Sequence, residues 1–86
     1  MSLNTIIESE TIGDKTFYVV DTGRQSNRIE CGVRGSTARE PGICVSVKYS
    51  TSTGNVRPRF HGTFMYDVDQ LNWIISRIPH LYTRNA

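Results

Sequence analysis

No stretch of this 86-residue chain approaches the roughly 20 consecutive apolar residues that a membrane-spanning helix needs, so no membrane span is expected. The first residues carry neither a basic segment nor a long apolar one, which argues against a secretory leader and for a cytoplasmic setting. Cysteine is scarce, with only Cys31 and Cys44. Together with His61 and His80 they lack the CxxC or HxxxH spacing of a zinc site, so no metal is expected. The two thiols are expected to stay reduced and pack as small apolar groups, a disulfide requiring both an oxidising compartment and suitable geometry. The segment Gly32–Ser36 is too short for a phosphate loop and no helix follows it, and no other cofactor motif occurs. Internal repeats and low-complexity segments are also missing.

What is present is enough for one modest core. Thirty-seven per cent of the residues are hydrophobic and nine per cent aromatic. A chain of this length buries about 60–65% of its extended surface. Residues 1–86 are therefore read as one domain, with 1–4 and 80–86 partly frayed apart from Leu81 and Tyr82, which can fold back on the core.

Alternation and turn residues divide the chain into strands. Thr5–Ile12 is a weak strand, with Ile6 and Ile12 on one side and Glu8 and Glu10 between them. Gly13–Lys15 turns it into a hairpin with Thr16–Asp21, which is rich in β-formers. In Asn27–Arg34, Ile29, Cys31 and Val33 alternate with Arg28, Glu30 and Arg34. After a long loop (35–42), Ile43, Val45, Val47 and Tyr49 are expected inward, with Cys44, Ser46 and Lys48 outward. The last strand is read as Val56–Tyr66, with Arg57, Arg59, His61 and Thr63 on one face and Val56, Phe60, Phe64 and Tyr66 on the other. Pro58 lacks a backbone donor and places that strand at an edge or a bulge.

One helix is expected over residues 67–78. Asp67 and Gln70 have capping-box spacing, Val68, Leu71, Ile74, Ile75 and Ile78 recur at helical intervals as the stripe meant for burial, and Pro79 ends it. The fold class is α+β: an antiparallel sheet of four or five strands with one C-terminal helix on one face.

Charge is unevenly placed along the chain although the net value is only +2. Residues 1–23 hold four acids (Glu8, Glu10, Asp14, Asp21) against Lys15, whereas residues 24–59 hold seven cations against Glu30 and Glu40, six of them arginine. Arginine suits bidentate contact with phosphate or carboxylate. Phasing the strands by their apolar residues puts Arg28, Arg34, Lys48, Arg57, Arg59 and His61 on the face away from the helix, interrupted by Glu30. Five cations on phosphates predict a slope of about −4 to −5 for log K against log salt. No aromatic pair lies within the cluster, so a duplex is favoured over single strands. No nucleophile–base pair stands out and Asp67 and Asp69 are accounted for as helix-start residues, so an enzyme is not expected.

Gly32-Val33-Arg34, then Ile43–Lys48, then Phe60-His61-Gly62-Thr63-Phe64 before the helix follow one another as in three-stranded-sheet DNA-binding domains. Over these ~50 residues the chain resembles domains of the AP2 and integrase arm-binding type, which implies DNA binding by the sheet. The alanine-rich helix and strand tryptophans of the AP2 domains are absent, so no contact residues are carried over. A strand ending in Phe64, an acidic cap, Gln70-Leu71 and Ile78-Pro79 also resemble small phage anti-CRISPR proteins of the sheet-plus-helix kind. That resemblance implies an inhibitor of a host nucleic-acid-binding protein complex, with Glu8, Glu10, Asp14 and Asp21 as contacts. A homodimer through paired edge strands is a third reading, opposed at one edge by Pro58.

Overall fold

The computed structural model describes residues 5–22, 27–35, 41–49, 52–62 and 64–81. Among them, strands β1 (Thr5–Ile12), β2 (Lys15–Asp21), β3 (Asn27–Val33), β4 (Gly42–Tyr49) and β5 (Val56–Phe60) form one antiparallel sheet in sequence order. Helix α1 (Val68–Arg77) and a 3₁₀ turn (Ile78–His80) follow, so the fold is the expected α+β sheet with one C-terminal helix. No described helix is long and apolar enough to cross a membrane. The loop expectation for 36–40 and the fraying expected at 1–4 and 82–86 lie outside the described residues, as does Thr63.

The core lies between the sheet and α1. Phe17 and Val19 from β2, Ile29 and Cys31 from β3, and Cys44, Val45 and Val47 from β4 meet Trp73, Ile74 and Leu81. Phe17 stacks on Trp73 with ring centroids 5.3 Å apart. Leu81 is fully buried and its carbonyl accepts from the Asn27 N–H, which ties the end of the described chain to β3. Both cysteines are free and buried.

Two bulges shift faces that strict alternation had assigned. In β4 the register against β3 slips between Ile29↔Val45 and Glu30↔Ile43, leaving Cys44 as the extra residue. An inserted residue breaks the two-residue period, so Cys44 and Val45 both face the core and Ile43 turns to the open face beside Glu30. The inward–outward assignment of Ile43 and Cys44 is thereby corrected. Ser46 and Lys48 lie beyond the bulge and keep their outward places. In β1 the slip falls between Ile6 and Glu8, so Ile7 is extra and Ile6 and Ile12 no longer share a face.

The last strand is shorter than its pattern. β5 ends at Phe60, and Gly62 takes φ +73, a conformation open to glycine at little cost. The chain then leaves the sheet and lays Phe64 against Gly42 and the Tyr66 hydroxyl on Cys44 Sγ at 2.9 Å. Pro58 sits on the outer edge strand, as expected. The His61 N–H bonds the Cys44 carbonyl, and inward-pointing backbone groups recur every second residue. Position 58 therefore points away from β4, where a missing donor breaks no ladder bond.

α1 begins with the expected capping box: Asp67 Oδ1 accepts from the Gln70 N–H and Gln70 Oε1 accepts from the Asp67 N–H. Its buried side, however, is Gln70, Trp73 and Ile74. Val68, Leu71 and Ile75 stand exposed, which corrects the stripe read from spacing. The register of the helix on the sheet is fixed at both ends by polar contacts. Gln70 Nε2 donates to the Ile12 carbonyl (2.8 Å) and Asp14 Oδ1 (3.0 Å), and Arg77 grips the Glu8 carboxylate with Nε and Nη2. These bonds rotate the helix so that Trp73, not Leu71, meets Phe17.

Candidate functional site

The open face of the sheet can be built row by row from the register. Ile29 and Val45 pair on the core side, so their neighbours Arg28 and Ser46 point to the opposite face. Ser46 pairs with Arg59 and Lys48 with Arg57 across β4 and β5. Lys48, Arg57 and Arg59 are all exposed and, with Pro58, line a concavity of about 200 Å³. Among the described residues no carboxylate lines it.

His61 joins this edge through Ser46. Its Nε2 lies 2.6 Å from Ser46 Oγ, holding the ring beside the Arg59 position. Alternation puts both residues on the open face, but their contact, across 15 residues of chain, arises only through the β4–β5 register. A nucleophile–base reading of it requires a third group to orient the imidazole. Among the described residues no carboxylate bonds the ring, so the contact positions the imidazole and assembles no triad.

The other two expected residues are placed differently. Arg28 is on the same face but is engaged by Glu30, with Nε 2.8 Å and Nη2 2.7 Å from Oε2. Its charge is largely cancelled locally. Val20, flanked across the strands by Ile6 and Arg28, is buried although it lies on this open face. Arg34 is past the end of β3, six residues from Arg28 and hence about 20 Å along the strand direction. It borders a separate hollow with Thr11, Asp14, Thr16, Tyr18, Gly32 and Val33. The structure thus brings together Lys48, Arg57, Arg59 and His61, and sets Arg28 and Arg34 apart from them.

Tyr18 belongs to the open face, opposite Glu30, but two strands lie between it and β5. At about 4.8 Å per strand spacing it is on the order of 14 Å from the basic edge. Met65 is on no strand and is almost fully exposed.

A second polar cluster lies on the helix side. Lys15 is buried, its ammonium 3.1 Å from Asp14 Oδ1, 3.3 Å from Gln70 Oε1 and 5.7 Å from the Tyr66 ring centroid. The hydrogen bonds from Gln70 and then Lys15 hold the Asp14 carboxyl below its ordinary range. Burial pushes the Cys31 thiol up to about 11 and raises Cys44 and Tyr66 as well. Raised thiols are poor nucleophiles and poor metal ligands. Among the described residues no group of three or more His, Cys, Asp or Glu is placed to hold a metal ion. This cluster locks the helix to the β1–β2 hairpin.

Compared with known proteins, the chain matches no family model, no curated protein and no solved structure.

Proposed function

We propose that the protein is a non-enzymatic binding module that takes a nucleic-acid backbone on the β4–β5 edge of its open face. The observation that carries this reading is the shared concavity of Lys48, Arg57 and Arg59, three cations on two paired strands with no acid among the described lining residues. Arg57 and Arg59 are two residues apart, about 6.8 Å, which spans about two nucleotide rises of a strand at 3.4 Å each. His61, fixed by Ser46, extends the row. With no aromatic side chain among the described residues that line the concavity, phosphate contact on a duplex is favoured over base stacking on a single strand. This is the mode of contact that the resemblance to sheet-type DNA-binding domains implies.

The reading as a phage-type inhibitor of a host nucleic-acid-binding complex has less behind it. It relies on the N-terminal acids, yet Glu8 is bound to Arg77 and Asp14 to Lys15 and Gln70. Their charge serves internal contacts. The test is a binding titration of labelled duplex and single-stranded DNA and RNA at about 50 mM salt. Duplex binding that is lost in Arg57→Glu/Arg59→Glu, with the circular dichroism spectrum unchanged, supports the proposal. No binding to any nucleic acid, or binding that survives the double reversal, refutes it, and a nuclease-resistant protein partner in a lysate would favour the inhibitor reading.

A further inference from the structure

α1 carries an apolar flank that its own sheet does not use. Val68, Leu71 and Ile75 recur at i, i+3 and i+7 and are 71%, 37% and 59% exposed. Met65, just ahead of the cap, is 86% exposed. Asn72 is exposed on the same flank, so the strip is neutral throughout. The sheet-facing side of the helix is already occupied by Gln70, Trp73 and Ile74.

The four apolar side chains leave on the order of 400 Å² of apolar surface in water, well within the range of the largest patches on monomers, which are often functional. Doubled by symmetry and extended by rim residues, that surface approaches the ~1,200 Å² total at which specific interfaces begin.

We propose that this flank of α1 binds a second copy of the chain, the two helices packing antiparallel about a two-fold axis near Asn72. A two-fold interface sets a surface against itself, which a neutral apolar strip tolerates and a strip of one charge does not. The antiparallel arrangement puts Val68 of one copy against Ile75 of the other. It also brings the acidic helix start (Asp67, Asp69) of each copy toward the Arg77–His80 end of the other, with the helix dipoles opposed.

Other placements of a second copy fit less well. β5 is short and carries Pro58, and the Ile7 bulge interrupts β1, so both sheet edges resist strand pairing. A membrane surface is also a poor fit, because interfacial helices rim their apolar face with free lysine or arginine. Here the helix begins with Asp67 and Asp69 and its Arg77 is bound to Glu8. Dimerisation through α1 leaves the Lys48–Arg57–Arg59 face uncovered in both copies, since helix and basic face are on opposite sides of the sheet.

Sedimentation equilibrium of the purified chain from about 1 µM to about 1 mM tests the proposal. It is run at about 0.5 M salt, where bridging by nucleic acid is screened, so failure here is independent of the phosphate-binding reading. The expected mass rises from 9.7 kDa toward twice that value with concentration. Ile75→Lys and, separately, Val68→Lys each raise the dissociation constant at least about tenfold while keeping the circular dichroism spectrum and urea midpoint. Two exposed positions are used so that a folding defect in one leaves the other decisive. A mass fixed at 9.7 kDa throughout, dimers unaffected by both lysines, or a monomer that instead floats with phosphatidylcholine vesicles would each overturn it.

Discussion

Replacing Gln70 with leucine should destabilise the protein far more than a change from glutamine ordinarily does. The side chain is buried and uses its full hydrogen-bonding capacity. Oε1 accepts from the Asp67 N–H at 3.0 Å and from Lys15 Nζ at 3.3 Å, while Nε2 donates to the Ile12 carbonyl at 2.8 Å and to Asp14 at 3.0 Å. Leucine fills nearly the same space, so the cost is that of stranded partners and not of a cavity. Two backbone groups at about 1 kcal/mol each, and a buried ammonium reduced to the exposed Asp14 carboxylate as its remaining hydrogen-bond partner, give a loss of about 3–4 kcal/mol. A domain of this size holds about 4–13 kcal/mol in all. Trp73 is the single tryptophan and stacks on Phe17, so its fluorescence reports the packing directly. Equilibrium unfolding in urea should show the midpoint falling by about 2 M, with Tm lower by about 12–32 °C. A midpoint within about 0.3 M of the parent would mean that water reaches these partners, and the helix-locking role assigned to Gln70 would be wrong.

Three further outcomes are expected. The hydrogen bonds from Arg77 hold Glu8 below its usual carboxylate range, and those from Gln70 and Lys15 do so for Asp14. Groups with depressed folded pKa values contribute stability that is complete above the ordinary carboxylate range and is lost as pH falls through the lowered values. The urea midpoint should therefore fall between about pH 5 and pH 2, less steeply in Glu8→Gln, and an equal slope in that variant would contradict the assignment. Neither Cys31 nor Cys44 should react with a thiol reagent at pH 8 until urea unfolds the protein, because both are buried and Cys31 is pushed up to about 11; rapid labelling of the native chain would refute their core placement. Gly62→Ala should cost about 1 kcal/mol or more, since φ is +73 and the new Cβ lies 3.2 Å from the Phe64 ring; a neutral urea midpoint would show that the chain's exit from the sheet is misplaced.

Much of the fold was legible because turns and alternation are local. Gly13-Asp14 places the first hairpin, Pro58 marks the edge strand, and Asp67 with Gln70 starts the helix, all within a few residues of the structure they predict. Where the reading failed, the cause was tertiary. A bulge at Cys44 carries no composition signal, because an extra residue in a strand has the same residue types as its neighbours. The helix stripe was misassigned because Val68, Leu71 and Ile75 are as apolar as Ile74. What decides between the faces is Gln70 reaching back to Ile12 and Arg77 to Glu8, contacts 58 and 69 residues apart in the chain. In the candidate site, alternation placed Lys48, Arg57 and Arg59 together. It could not show that Arg28 is cancelled by Glu30, or that Arg34 lies at the far end of the sheet.

That geometry narrows the electrostatic expectation from five cations to the three around one concavity. The most direct test is the slope of log K against log salt for binding of a short DNA duplex. Lys48, Arg57 and Arg59 acting together predict a slope near −3, falling toward −2 in Arg57→Ala or in Arg59→Ala and unchanged in Arg34→Ala. A slope near zero, or one that moves with Arg34 and ignores Arg57 and Arg59, would contradict the placement of the interface on the β4–β5 edge.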